Sequence, residues 1–189
     1  MGPVCCGVRG PRIALAFSAL ALPGLGLAAR DGEDAFPEAQ GVLALAVAAG
    51  HALVAVLTAW AVGRLAASVP HLAHPAVRAL ARARVVIPLV GVAGLAIPWL
   101  LPIVTLAAVV ADVGLWGIIA TACRAHAGLA LSGTAAALFT FSRVASAGAF
   151  LDDELAREAF ALVRGVVAPV AGLLLALAVL RLRDRPADG

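Results

Sequence analysis

Long apolar stretches alternate with short polar stretches along the whole chain, and this alternation is its clearest structural signal. A helix needs about 20 apolar residues to cross the ~30 Å hydrocarbon core of a bilayer. Six stretches reach or approach that length, at about residues 13–29, 41–63, 85–101, 103–122, 127–150 and 159–180. The pattern therefore predicts an all-α, polytopic integral membrane protein, built as a single six-helix transmembrane bundle.

The third and fourth stretches form one nearly continuous apolar run over residues 85–122, which is too long for a single straight span. Pro98 and Pro102 lie within this run, and two prolines four residues apart break a helix. Trp99, between them, suits a membrane interface. We therefore predict a tight helical hairpin that turns at 98–102. The alternative is one long, kinked and tilted helix, which would leave five spans.

The charged residues sort by sign from one polar stretch to the next. With six spans, ten arginines fall on one side of the membrane, and two fall on the other side together with both acidic stretches. Because arginine-rich loops stay in the cytoplasm, this distribution predicts a multi-pass cell-membrane protein with both termini cytoplasmic. The five-span alternative mixes the two signs on each side. The ten arginines are Arg9, Arg12, Arg64, Arg78, Arg82, Arg84, Arg124, Arg181, Arg183 and Arg185.

The longest polar stretch, residues 64–84, contains four arginines and no acidic residue. Pro75 suits the first position of a helix, and Arg78 and Arg82 would then lie one turn apart on one face. We predict a basic cytoplasmic loop with a short amphipathic helix on the inner leaflet, where anionic lipid attracts arginine. A simpler interpretation is an orientation signal without lipid specificity.

The first apolar stretch, residues 13–29, has a second interpretation. A basic start, an apolar core and the small residues at 28–29 resemble a signal peptide with its cleavage site. The core is long for a signal peptide, and it contains Pro23. Cleavage would leave five spans with the same orientation as before.

Composition supports the membrane assignment and narrows the chemistry. The chain is 63% hydrophobic and 13% charged, whereas soluble domains are typically about 45–50% apolar and about 25% charged. It contains no lysine, which excludes a Schiff-base lysine. The net charge of +3 does not indicate nucleic-acid binding, because most arginines lie at segment ends and form no dense basic face. The bilayer is the predicted partner, and a second copy or another membrane protein also remains open.

Four polar side chains fall inside the predicted spans, where each is costly. His51 and Asp112 lie near mid-membrane in the second and fourth spans, about 14–15 Å from the outer edge. Arg143 lies about 10 Å deep in the fifth span, and Arg164 is shallower and can extend toward the outer acidic stretch. Because two charges at similar depth cost less when they meet, we predict an Asp112–Arg143 ion pair with His51 near it.

The predicted ion pair has two interpretations. It is a proton or ion relay in a small transporter or channel-like protein, or it is a structural pair that sets helix register. The structural version suits an accessory membrane protein that binds a partner through its apolar faces. We find no catalytic, cofactor-binding or metal-binding motif, so we predict no cofactor and favour a protein that is not an enzyme.

Overall fold

The computed structural model describes residues 9–35, 40–94, 97, 99–145 and 154–182, and all regular structure in these ranges is helical. The prediction of an all-α chain is confirmed to that extent. Six α-helices follow one another, with a short 3₁₀ segment before the third. They are α1 (Arg9–Ala35), α2 (Gln40–Leu65), α3 (Pro75–Gly94), α4 (Leu100–Ala127), α5 (Leu129–Ala145) and α6 (Glu154–Leu180); the 3₁₀ segment is Pro70–Ala73.

Each helix packs against the next one in the sequence, and α6 packs back against α1, so the six helices form a closed ring. An additional contact between α4 and α6 crosses the ring. The 3₁₀ segment lies against α2, α3 and α4, and it inserts the fully buried Leu72. Because consecutive helices are neighbours, short connections are sufficient to build the bundle.

The interior of the ring is made mostly of aliphatic side chains, with one large aromatic side chain, Trp116, completely buried. Apolar side chains also cover much of the outer surface. On α4, for example, Ile103, Leu106 and Val110 are each more than half exposed. Soluble monomers rarely expose apolar surface on this scale, whereas a lipid environment suits it.

Three of the described helices are long and apolar enough to cross a membrane: Gly41–Leu65, Pro102–Ala127 and Glu154–Leu180. This agrees with the predicted membrane class. The apolar helix α5 is shorter, with 17 residues. In α3, the first turns carry Arg78, Arg82 and Arg84, which lower its hydropathy.

The apolar run over 85–122 is divided between two helices, because α3 ends at Gly94 and α4 begins at Leu100. The alternative prediction of one long helix through this run is therefore wrong. The amide of Leu100 donates to the carbonyl of Ile97 at 2.9 Å and closes a turn just before α4. Pro102 lies in the first turn of α4, where the missing N–H costs no intrahelical hydrogen bond.

The basic stretch 64–84 differs from its prediction, since it contains no separate amphipathic helix. Instead, α3 begins at Pro75 and continues without a break through the arginines into the apolar segment. The physical reason is that no helix-breaking residue follows Pro75 until Pro88, and the intervening alanines, leucine and arginines favour helix. The prediction therefore placed the end of the loop about ten residues too late.

A single glycine, Gly128, separates α4 from α5. Its backbone has φ 83° and ψ 157°, a combination that only glycine adopts without strain. This residue ends α4 and lets the chain turn back into α5. The predicted fifth span extends to residue 150, but residues 146–150 lie outside the described residues, as do the two termini at 1–8 and 183–189.

The first and last helices approach closely at Gly172. A Cβ atom added there would lie 2.6 Å from the carbonyl oxygen of Ala19 and 3.0 Å from the ring of Pro23. The first of these is a backbone atom, so α1 itself would have to move. By contrast, Gly63 on α2 has open space where a Cβ atom would lie.

We therefore expect Gly172→Ala to destabilise the protein by about 1–3 kcal/mol, which is typical of overpacking. Gly63→Ala is the matched control, and better helix propensity should leave it neutral or more stable by up to ~1 kcal/mol. The measurement is the midpoint of unfolding by sodium dodecyl sulfate for protein purified in a mild detergent. Equal midpoints for the two variants would contradict the close approach of α1 and α6.

Candidate functional site

A buried carboxylate, Asp112 on α4, binds one arginine with each of its oxygens. Its Oδ1 accepts from Nε of Arg84 on α3, and its Oδ2 lies 3.1 Å from Nε of Arg143 on α5. Asp112 as a whole is 7% exposed, and the side chain of Arg84 is 5% exposed. One carboxylate therefore connects three consecutive helices inside the bundle.

The spacing of the turns along the chain explains why these three residues lie level with one another. Pro98, between α3 and α4, is 14 residues from both Arg84 and Asp112. Gly128, between α4 and α5, is 16 residues from Asp112 and 15 from Arg143. In antiparallel helices with a common rise of about 1.5 Å per residue, equal distances from a turn give equal heights.

Two aromatic rings cover the arginines. Trp116 follows Asp112 by one helical turn, and its ring centroid lies 5.9 Å from Cζ of Arg84. Phe139 precedes Arg143 by one turn, with its centroid 5.2 Å from Cζ of that arginine. The two rings also contact each other, with centroids 5.8 Å apart. These cation–π contacts stabilise the charges by about 0.5–2 kcal/mol each.

His51 lies on α2, so a fourth helix contributes to the site. Its Nδ1 lies 2.9 Å from the carbonyl oxygen of Val47, and because a carbonyl only accepts, Nδ1–H is the donor. In the neutral ring this leaves Nε2 as an acceptor. His51 lines a pocket of about 50 Å³ together with Arg84, Ile87, Pro88, Ala108 and Asp112. We call His51, Arg84, Asp112, Trp116, Phe139 and Arg143 the polar cluster.

Of the residues predicted from the sequence, the structure brings Asp112, Arg143 and His51 to one region. Arg164 is separate: it lies half-buried on α6 and makes no ion pair with Asp112. Sequence reasoning missed Arg84, because it counted this arginine as the last charge of the basic loop. The available signal was its spacing, since Arg84 and Asp112 are equidistant from Pro98.

The polar cluster has more positive than negative charge. Two arginines share one carboxylate, and neither arginine contacts a second acidic residue within the described part of the chain. The cluster also has more donors than acceptors, since Nη1 of Arg84 and Nε1 of Trp116 are buried without a hydrogen-bond partner. Chemically, this is an arrangement that can hold helices in register and can attract an anion.

Two other possible sites were weaker candidates, namely a surface groove and a metal-binding group. A shallow groove of about 760 Å³ runs between the 3₁₀ segment and α4, beside Gly114 and Gly117, and it is lined by no arginine or carboxylate. Among the described residues, no three side chains of histidine, cysteine, aspartate or glutamate lie close enough to hold a metal ion. The polar cluster is therefore the candidate functional site.

Comparisons with protein-family models, curated proteins and solved structures give no match to this chain.

Removing the shared carboxylate should destabilise the protein more than removing either arginine. Asp112→Asn leaves the buried Arg84 and the partly exposed Arg143 without a counter-charge, and losing the partner of the buried Arg84 alone costs about 3–5 kcal/mol. Arg84→Met leaves a neutral Asp112–Arg143 pair and should cost about 1–3 kcal/mol. The free energy of unfolding in detergent measures both effects, with the exposed Arg82→Met on the same helix as the control.

Replacing the whole charged group should restore much of the lost stability. In the apolar triple variant, Asp112→Leu, Arg84→Met and Arg143→Met are combined, so that no charge remains buried without a partner. Apolar replacement of buried charge groups is often neutral or stabilising. If Asp112→Asn were as stable as Arg82→Met, the carboxylate would not hold the cluster together.

Proposed function

We propose that this chain is a small multi-pass membrane protein that moves an ion across the bilayer through the polar cluster. The observation that carries the proposal is a net positive group of charges held inside a bundle of apolar helices. A charged side chain at the centre of a membrane costs about 2.5–3.5 kcal/mol on insertion scales. A protein that retains three such charges without full neutralisation has a use for them beyond packing.

The topology that we propose has six spans, with both termini in the cytoplasm. Three described helices support it by length and apolarity, and the closed ring of six supports it by giving every helix two neighbours. Each short connection reverses the chain, and the arginine-rich connections then share one side. In this topology Arg84, Asp112 and Arg143 lie at one depth, about 15 Å from either end of α3.

The second candidate function is that of an accessory or structural membrane protein, with a second copy or another membrane protein as its partner. The observation that favours it is the bridging carboxylate, because contacts from one side chain to three helices also fix helix register. In this interpretation the charges are needed only for assembly, and replacing all of them together would leave binding of the partner intact.

The topology predicts which of four single cysteines react in intact cells. After Cys5, Cys6 and Cys123 are changed to alanine, cysteine is placed at position 36, 100, 126 or 154 in turn. A membrane-impermeant maleimide should label positions 36, 100 and 154, and label position 126 only after the cells are made permeable. Labelling at 126 in intact cells, or protection at 100, would contradict the six-span topology.

The transport proposal predicts ion flux that depends on the polar cluster. Liposomes containing the wild-type protein should dissipate an imposed gradient of H⁺, K⁺ or Cl⁻ at least tenfold faster than protein-free liposomes. The apolar triple variant should show only the background rate although it folds, and Arg82→Met should match the wild type. An active triple variant would assign the cluster a structural role, and an inactive wild type would end the transport proposal.

A further inference from the structure

We propose that the pocket beside Arg84 binds a small monovalent anion of halide size, such as chloride. The pocket is the one lined by His51, Arg84 and Asp112. We also infer that this anion is the ion that the protein transports, and that part rests on the proposed function. The binding site itself does not, because it follows from the charge, the donors and the size of the pocket.

The polar cluster has an excess of positive charge. Arg84 and Arg143 carry two positive charges, and Asp112 supplies one negative charge to both. No second carboxylate contacts either arginine within the described ranges, and the pocket's other walls are apolar apart from His51. One positive charge is therefore uncompensated where solvent screening is weak. A bound monovalent anion makes the group neutral, whereas a divalent anion would give it a net charge of about −1.

Arg84 also has more hydrogen-bond donors than acceptors around it. The guanidinium of Arg84 gives its Nε–H to Asp112, but its Nη1 is buried and has no partner. A buried donor without an acceptor costs about 1–3 kcal/mol, and more when it is charged. Arg84 is also one of the residues that line the pocket. An anion there would lie against the guanidinium of Arg84, which has more donors than the ion pair with Asp112 uses.

The pocket is large enough for a small anion. Its cavity volume is about 50 Å³, whereas roughly 10–15 Å³ on the same measure is enough for one water molecule. A halide ion therefore fits, and its single charge, rather than its size, favours it over sulfate and phosphate. Water is the competing occupant, since it fits the same space beside Arg84. Water brings no negative charge, so it would leave the imbalance of the cluster in place.

The test is equilibrium binding of radiolabelled chloride to the purified protein in detergent, with gluconate as the only other anion. We expect saturable binding of one chloride per chain, displaced by bromide and not by sulfate or gluconate. Arg84→Met should weaken binding at least tenfold, because it removes both the excess charge and the unpartnered donor. Arg82→Met is the matched control, since Arg82 is exposed on the same helix, and it should bind as the wild type does.

A second measurement does not depend on the folding of Arg84→Met. Trp116 contacts Arg84, while the other two tryptophans, Trp60 and Trp99, are exposed and can be changed to phenylalanine. Bromide is a heavy-atom quencher, so its binding should quench the remaining Trp116 fluorescence. The quenching should saturate over the same bromide concentrations that displace chloride. Unsaturable quenching together with no chloride binding would overturn the inference and leave water as the occupant.

The binding and flux results separate this inference from the proposed function. Saturable chloride binding without chloride flux would keep the anion site and end the transport proposal. Flux of H⁺ or K⁺ without chloride binding would keep the transport proposal and overturn the anion site. Binding that persists unchanged in Arg84→Met would also overturn it, because the site would then lie elsewhere.

Discussion

The structure depends on one shared carboxylate. Asp112 binds Arg84 with one oxygen and Arg143 with the other, so three antiparallel helices must stay level and must turn the same side chains inward. A slip of one residue on α3 or α5 would move an arginine about 1.5 Å along its helix and rotate it away from the carboxylate. Many apolar contacts around the ring join similar aliphatic residues and specify such a register only weakly. Charge therefore adds to the specificity that close contacts, such as that of Gly172 with α1, supply elsewhere in the bundle.

The same interaction leaves an excess of charge and of donors. If the cluster only fixed helix register, one arginine for one carboxylate would be sufficient. Such a neutral pair would hold two helices in register at a lower desolvation cost. Here a second, partly exposed arginine lies beside the first. Trp116 contacts Arg84, Phe139 contacts Arg143, and one guanidinium nitrogen of Arg84 is left without a partner. The adjoining pocket gives that imbalance a place to be neutralised. Register and anion binding are thus compatible roles of one cluster, and the apolar triple variant separates them.

Much of this arrangement follows from counting along the chain. The similar depth of Asp112 and Arg143, counted from the outer ends of their predicted spans, was sufficient to predict that they meet, and the structure shows their ion pair. Arg84 was missed for a specific reason: an arginine at the edge of an apolar run resembles a loop residue. The continuous helix from Pro75 moves it inward, and no local property of the sequence distinguishes Arg84 from Arg82 two residues earlier. Arg164 was predicted to lie shallower than these residues, and in the structure it lies on α6 and makes no ion pair with Asp112.

The sequence by itself determined the helical class, the break between α3 and α4 and the approximate height of Asp112 and Arg143 along their helices. These properties are local, because hydrophobicity, proline, glycine and a constant rise per residue set them within one segment. Only the tertiary structure decided which way each helix faces. Rotation about a helix axis depends on the packing of all six helices together, and it decides that Arg84 lies inside while Arg82 lies outside. That rotation, rather than any single motif, places two arginines on one carboxylate and opens the pocket beside them.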